Sequence, residues 1–200
     1  MNLPLVILAS ASPRRADLIR ELSGEMGFNF KVLASNVPEP ENEFLTASEI
    51  CQVNAHRKAR AIAKKYPDDL VIGMDTLVTL NEKIYGKPPN LSAAEKIIEE
   101  LQGKTHEVIT GVCMMHLRSH HEKIFAERTS VTFRPLTVDE IRQYLGKINP
   151  LDKAGGYAIQ EFGEMIVESI EGSRSNVVGL PQERLAQELR EFEATLHVAA

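Results

Sequence analysis

The sequence predicts an α/β protein whose helices flank a mixed sheet. Three observations carry that reading: short apolar runs alternate with helical periodicity, helix-start signatures recur between them, and two long β-type stretches are joined by a polar turn. The predicted order is strand, helix, strand, helix, strand pair, helix, long hairpin, helix, strand, helix.

Leu5 to Ala9 reads as a buried strand that breaks at Ser10-Ala11-Ser12-Pro13. Ser12 is a good N-cap and Pro13 suits the first helical position, so a helix follows, with Leu18, Ile19, Leu22 and Met26 at helical spacing. Phe28 to Leu33 alternates like a strand. Past a loop rich in Pro, Glu and Asn (Val37 to Phe44), Thr46 and Glu49 form a capping box that opens a long helix to about Tyr66. Leu70 to Gly73 reads as the next strand. Ser92 with Glu95 and Thr137 with Glu140 are two more capping boxes, their helices stopping at Gly103 and near Gly146. Thr105 to Leu117 and Glu122 to Phe133 flank the turn Arg118-Ser119-His120-His121, which predicts a hairpin and makes the sheet mixed. Leu180-Pro181 opens a final helix with Leu185, Leu189 and Phe192 on one face.

With 200 residues and 43% apolar content, the chain can bury one sizeable core, and neither a linker nor a repeat divides it, so residues 1–200 read as a single domain. The net charge of −5, with acids and bases interspersed, argues against nucleic-acid or membrane-surface binding, both of which need a concentrated basic face. Cys51 and Cys113 match no metal or redox pattern and read as buried thiols of a reducing compartment. No basic segment followed by a long apolar run is seen, nor any apolar stretch near the ~18 residues of a membrane span, so the expected location is cytoplasmic.

Four segments have chemical potential. In Ser10-Ala11-Ser12-Pro13-Arg14-Arg15 two arginines fall in the first turn of a helix, where the dipole disfavours cations unless an anion docks on the free amides. Arginine forks also match phosphate oxygens in pairs. The plain alternative is a solvated basic turn. Asp75, in Gly73-Met74-Asp75-Thr76, follows an apolar strand where open α/β sheets place ligands, and it can hold a metal or take a proton from water. A simple Asp-Thr turn explains it equally well when taken alone. Lys87, in Tyr85-Gly86-Lys87-Pro88-Pro89, is one cation on a rigid turn. Asp152 to Gln160 carries paired glycines that permit close backbone approach, and a plain loop is the alternative for both. Arg57 and Lys58 fit a solvated helix face. His106-Glu107 lacks the second histidine of a zinc-protease helix, and Walker, G-x-G-x-x-G and G-x-S-x-G patterns are absent.

Together with Val177-Val178-Gly179-Leu180-Pro181, these segments resemble, in order and spacing from about residue 6 to 190, the Maf family of nucleotide pyrophosphatases. The resemblance implies a two-lobed α/β fold with an inter-lobe cleft, related to the inosine triphosphate pyrophosphatase-like folds. It also implies cleavage of a nucleoside triphosphate between the α and β phosphates with a divalent cation, Mg²⁺ or Mn²⁺, usually by a homodimer. By the same resemblance, Asp75 is the proton acceptor and a metal ligand, Glu39 the metal-linked acid, and Ser10, Arg14, Arg15, Lys58, Lys87 and Lys153 the phosphate-facing residues. Arg15, Thr76 and Gln160 match the specificity positions of the dTTP/UTP-selective branch. A departure from the family pattern is Met74, which replaces alanine and is expected to crowd the cleft. The other class of function the resemblance suggests is a non-catalytic nucleotide-binding regulator of septum formation.

Overall fold

The computed structural model describes residues 3–38 and 44–198. Strand β1 (Val6–Ala9) turns into α1 (Pro13–Met26), followed by β2 (Phe30–Val32), α2 (Ala47–Ala63), β3 (Leu70–Leu80), β4 (Lys83–Tyr85) and α3 (Leu91–Leu101). The hairpin strands β5 (Thr105–His116) and β6 (His121–Phe133) lead to α4 (Val138–Leu145), three short 3-10 turns between Pro150 and Met165, β7 (Val167–Glu171), α5 (Arg174–Val178) and α6 (Gln182–Val198). Among the described residues, seven strands make one mixed sheet in the order β2-β1-β3-β5-β6-β7, with β4 added to β3. β1 runs parallel to β2 and β3, whereas β4 on β3 and β7 on β6 are antiparallel.

The caps behave as their side chains dictate. Ser12 accepts from the Arg15 amide with Pro13 at the start of α1, and Thr46 with Glu49 and Thr137 with Glu140 form complete capping boxes. Helix α3 differs: Asn90, not Ser92, is its cap, accepting from the Ala93 amide. Asn ranks with Ser at this position, and starting two residues earlier adds Leu91 and Ser92 to the helix.

Strand β3 also differs, because it does not stop at Gly73. The parallel ladder with β1 ends at Ala9 opposite Gly73, but the backbone stays extended to Leu80, with Val78 to Leu80 pairing β4. The β-formers of Thr76-Leu77-Val78-Thr79 outweigh the turn preference of Asp75. Asp75 therefore lies inside a strand, two residues beyond its last rung with β1.

The chain divides into two compact units, Met1–Asp75 with Thr110–Glu127 and Gly179–Ala200, and Thr76–Ile109 with Arg128–Val178. In the first, Ala55, Ala59, Ile62 and Ala63 of α2 pack on Ile7, Ala9, Val71, Cys113 and Met115. This approach is unusually close because two strands present glycine to the helix. A Cβ on Gly73 would lie 2.2 Å from the Ala55 carbonyl oxygen, and one on Gly111 2.5 Å from that of Cys51. In the second unit, α3 and α4 pack together over a core that includes Val78, Ile98, Leu101, Phe133, Tyr144 and Ile166.

Candidate active site

In the first unit, the strand period of two puts Gly73 and Asp75 on the same face of β3, toward α2. The helical period puts Asn54 and Lys58, four residues apart, on one side of α2. With the helix seated on glycine, both reach Asp75: Lys58 Nζ donates to Oδ1 at 2.8 Å and Asn54 Nδ2 to Oδ2 at 3.0 Å. All three residues are buried, at 5% to 8% exposure, so the ion pair is held in a low-dielectric setting. Each carboxylate oxygen accepts one of these bonds and retains a further lone pair for a water or cation.

The basic turn converges on the same stretch of β3. Arg15 Nη1 donates to the Met74 carbonyl at 3.1 Å, and Lys58 Nζ donates to that carbonyl at 3.3 Å. Arg15 Nε donates to the Gly179 carbonyl at 2.7 Å, so the Val177-to-Pro181 motif serves to fix this guanidinium. Ser10 is buried, its Oγ accepting from the Ser12 amide at 3.2 Å and lying 3.5 Å from Arg15 Nη1. Arg14 is half-buried beside it, at the start of α1, whose first turn holds no acid. Met74 does not crowd the site. Its side chain is fully buried and alternation points it to the face opposite Asp75.

In the second unit, the Gly155 amide donates to the Gly86 carbonyl at 3.0 Å, which ties the exposed Lys87 turn to the Asp152-to-Gln160 segment. Gly155 and Gly156 both adopt positive φ, and a Cβ on Gly155 would meet Val78 at 2.8 Å, which explains the glycine pair. Lys153 is buried and engaged by its own loop: Nζ donates to the Asn149 carbonyl at 2.8 Å and to Asp152 Oδ1 at 2.9 Å, with Glu161 Oε1 3.4 Å away. Tyr144 Oη donates to the Ala158 carbonyl and accepts from its amide, each at 2.9 Å, standing in for a strand partner. His106 Nε2 and Tyr157 Oη are 2.8 Å apart. Burial holds His106 down to about 4, so it is neutral at pH 7. Beyond this anchored stretch Gln160 is exposed, and Thr76 is half-buried directly after Asp75.

Glu39 lies outside the described residues. Among the described residues no group of three His, Cys, Asp or Glu side chains gathers to hold a metal, and no helix is long and apolar enough to cross a membrane. Sequence reasoning missed Asn54, Tyr144 and the His106–Tyr157 contact. The signal for Asn54 was present: it is a polar residue on the helix face that carries Ile50, Cys51, Ala55 and Ala59 inward.

The fold and this cluster define an α/β protein with a buried Asp–Lys–Asn set just past a parallel ladder, flanked by an arginine-bearing helix start. Residues 5–192 match the family model for Maf-like proteins, and the chain belongs to the Maf family. It is 43% identical over 96% of its length to a dTTP/UTP pyrophosphatase of Bacillus cereus, covering 91% of that protein. It is 41% identical over 94% to one of Desulforamulus reducens, covering 96%. A solved structure of a HAM1 protein from Coxiella burnetii shares the fold at TM-score 0.54 and 16% identity, covering 94% of this chain and 100% of that one. The mixed α/β architecture expected from the sequence is thus observed, and the HAM1 protein shares it.

Proposed function

We propose that this chain is a nucleoside triphosphate pyrophosphatase that hydrolyses dTTP and UTP to the monophosphate and pyrophosphate. The carrying observation is the Asp75 carboxylate, buried yet clamped at both oxygens, with the Arg15 guanidinium on the carbonyl of the preceding residue, Met74. The names of relatives at 41% to 43% identity support the substrate class.

Arg14, Arg15 and Lys87 neutralise the phosphates and stabilise charge on the departing pyrophosphate, with Ser10 and the α1 amides adding donors. Asp75 orients the attacking water and accepts its proton as that water adds to the α phosphorus. Lys58 keeps the carboxylate in place and offsets its charge, so that a polyanion meets no net repulsion from Asp75. Lys153 shapes the segment that carries Gln160, and Gln160 with Thr76 and Arg15 sets the preference for pyrimidines. An amide can read the O4 carbonyl and the N3 proton of uracil or thymine together.

We propose a divalent cation, Mg²⁺ or Mn²⁺, as cofactor, an ion that binds one or two carboxylates and completes its shell with phosphate oxygens and water. Asp75 has a lone pair to give it, and Glu39 is the proposed second acid. When bound, the ion supplies charge neutralisation and a more acidic water. We place the protein in the cytoplasm, acting as a homodimer on free nucleotides.

A nucleotide panel with product identification tests this reading. With Mg²⁺ or Mn²⁺ present, UTP and dTTP should release pyrophosphate, and in ¹⁸O-water the label should enter the monophosphate. Release of orthophosphate, or label in pyrophosphate, would rule out attack at the α phosphorus.

A further inference from the structure

The geometry points to Asn54 as a positioning residue for the hydrolysis, acting through the Asp75 carboxylate. This rests on the reading of Asp75 given above. One contact restrains a carboxylate oxygen only within the range its donor tolerates, so the group can still tilt by coupled rotation about its Cα–Cβ and Cβ–Cγ bonds. Lys58, with a long arm and three rotatable donors, supplies such a contact at 2.8 Å on Oδ1. The second contact, Asn54 Nδ2 on Oδ2 at 3.0 Å, removes the remaining freedom and sets the plane of the carboxylate.

The two donors are matched to their task. They come from one face of one helix, one turn apart, so they move together, and α2 is seated on the sheet at Gly73 of β3 and Gly111 of β5. A second cation in place of Asn54 would over-compensate the carboxylate, and a second acid would repel it. A neutral amide donor does neither. Asn54 is only 5% exposed, and an amide at this depth needs a partner, which Asp75 provides. A reacting carboxylate must be held close to its working orientation, and small misplacements cost large factors in rate.

The test uses the full-length enzyme and UTP. Asn54→Leu keeps the branching and removes the donor, and Asn54→Asp keeps the shape and replaces the donor by an acceptor. Both should lower kcat by roughly ten- to a hundredfold, as for loss of a hydrogen bond to a charged group. KM, and the dissociation constant of a non-hydrolysable α,β-methylene analogue, should stay within about threefold. Combined with Asp75→Asn, Asn54→Leu should cost nothing further, because its effect passes through the carboxylate. Should Asn54→Leu fail to fold, Asn54→Ala enters the same comparison. Unchanged kcat in the single variants with Asp75→Asn inactive would overturn the role of Asn54 alone. A loss confined to KM, or one fully additive with Asp75→Asn, would do the same. Full activity of Asp75→Asn would instead overturn the reading of Asp75.

Discussion

Replacing Gly73 with alanine puts a methyl carbon 2.2 Å from the Ala55 carbonyl oxygen and 2.6 Å from the Ala59 amide nitrogen. Neither obstacle is a side chain that can rotate away, since both belong to the backbone of α2. Ordinary van der Waals contact begins at 3.4 Å, so the helix has to withdraw locally by about 1 Å. Lys58 precedes Ala59 and moves with it. Its 2.8 Å bond to Asp75 opens toward about 4 Å, and the Asn54 bond opens with it. The expected stability cost is about 1–3 kcal/mol for overpacking. The expected loss of kcat is on the order of a hundredfold, the penalty of a 1 Å displacement at a reacting group. Urea unfolding and steady-state UTP hydrolysis measure the two effects on one preparation. Gly24→Ala is the control: in α1, a Cβ there meets nothing within 4 Å. It should raise stability by up to about 1 kcal/mol and leave kcat unchanged. Wild-type stability and turnover in Gly73→Ala would refute the claim that α2 needs bare strand backbone to bring its side chains onto Asp75.

Other expectations follow from the second unit. Burial holds His106 down to about 4 from its ordinary 6.5, so the unfolded chain binds a proton between these values that the folded chain does not. Its contribution is therefore present above pH 6.5 and lost as pH falls toward 4, by about 3 kcal/mol. Stability curves from pH 7 to 4 should be flatter for His106→Gln than for wild type, and parallel curves would count against a buried neutral imidazole. Gln160→Ala should narrow the preference for UTP over CTP by roughly tenfold or more with little change in stability. An unaltered UTP/CTP ratio would remove Gln160 from base reading.

Much of the architecture was legible because it depends on local chemistry. Ser12-Pro13, Thr46 with Glu49 and Thr137 with Glu140 mark helix starts through their own side chains, and the Arg118-to-His121 turn marks the hairpin. What was not legible depends on neighbours. Asp75 looked like a strand end because its sequence suits a turn, whereas β4 and β5 keep β3 extended. Ser92 displayed a better box than Asn90, yet the longer helix won. Arg15 and Asp75 were both singled out from sequence, but not that Met74 and Gly179 would offer their carbonyls to the guanidinium. Lys58 looked like a solvated helix face because nothing local shows that Gly73 and Gly111 draw its helix inward. Asn54 was legible as a polar residue on the inward face of α2, but its partner Asp75 was not.

Asp75→Asn puts the central claim to its most direct test, measured as single-turnover UTP hydrolysis alongside binding of the α,β-methylene analogue. Turnover should fall by at least about a hundredfold, as for loss of a general base, while the dissociation constant stays within a few-fold and the melting temperature drops as Lys58 loses its partner. A variant that still hydrolyses UTP at the wild-type rate would contradict it, and the reacting centre would have to be sought elsewhere in the chain.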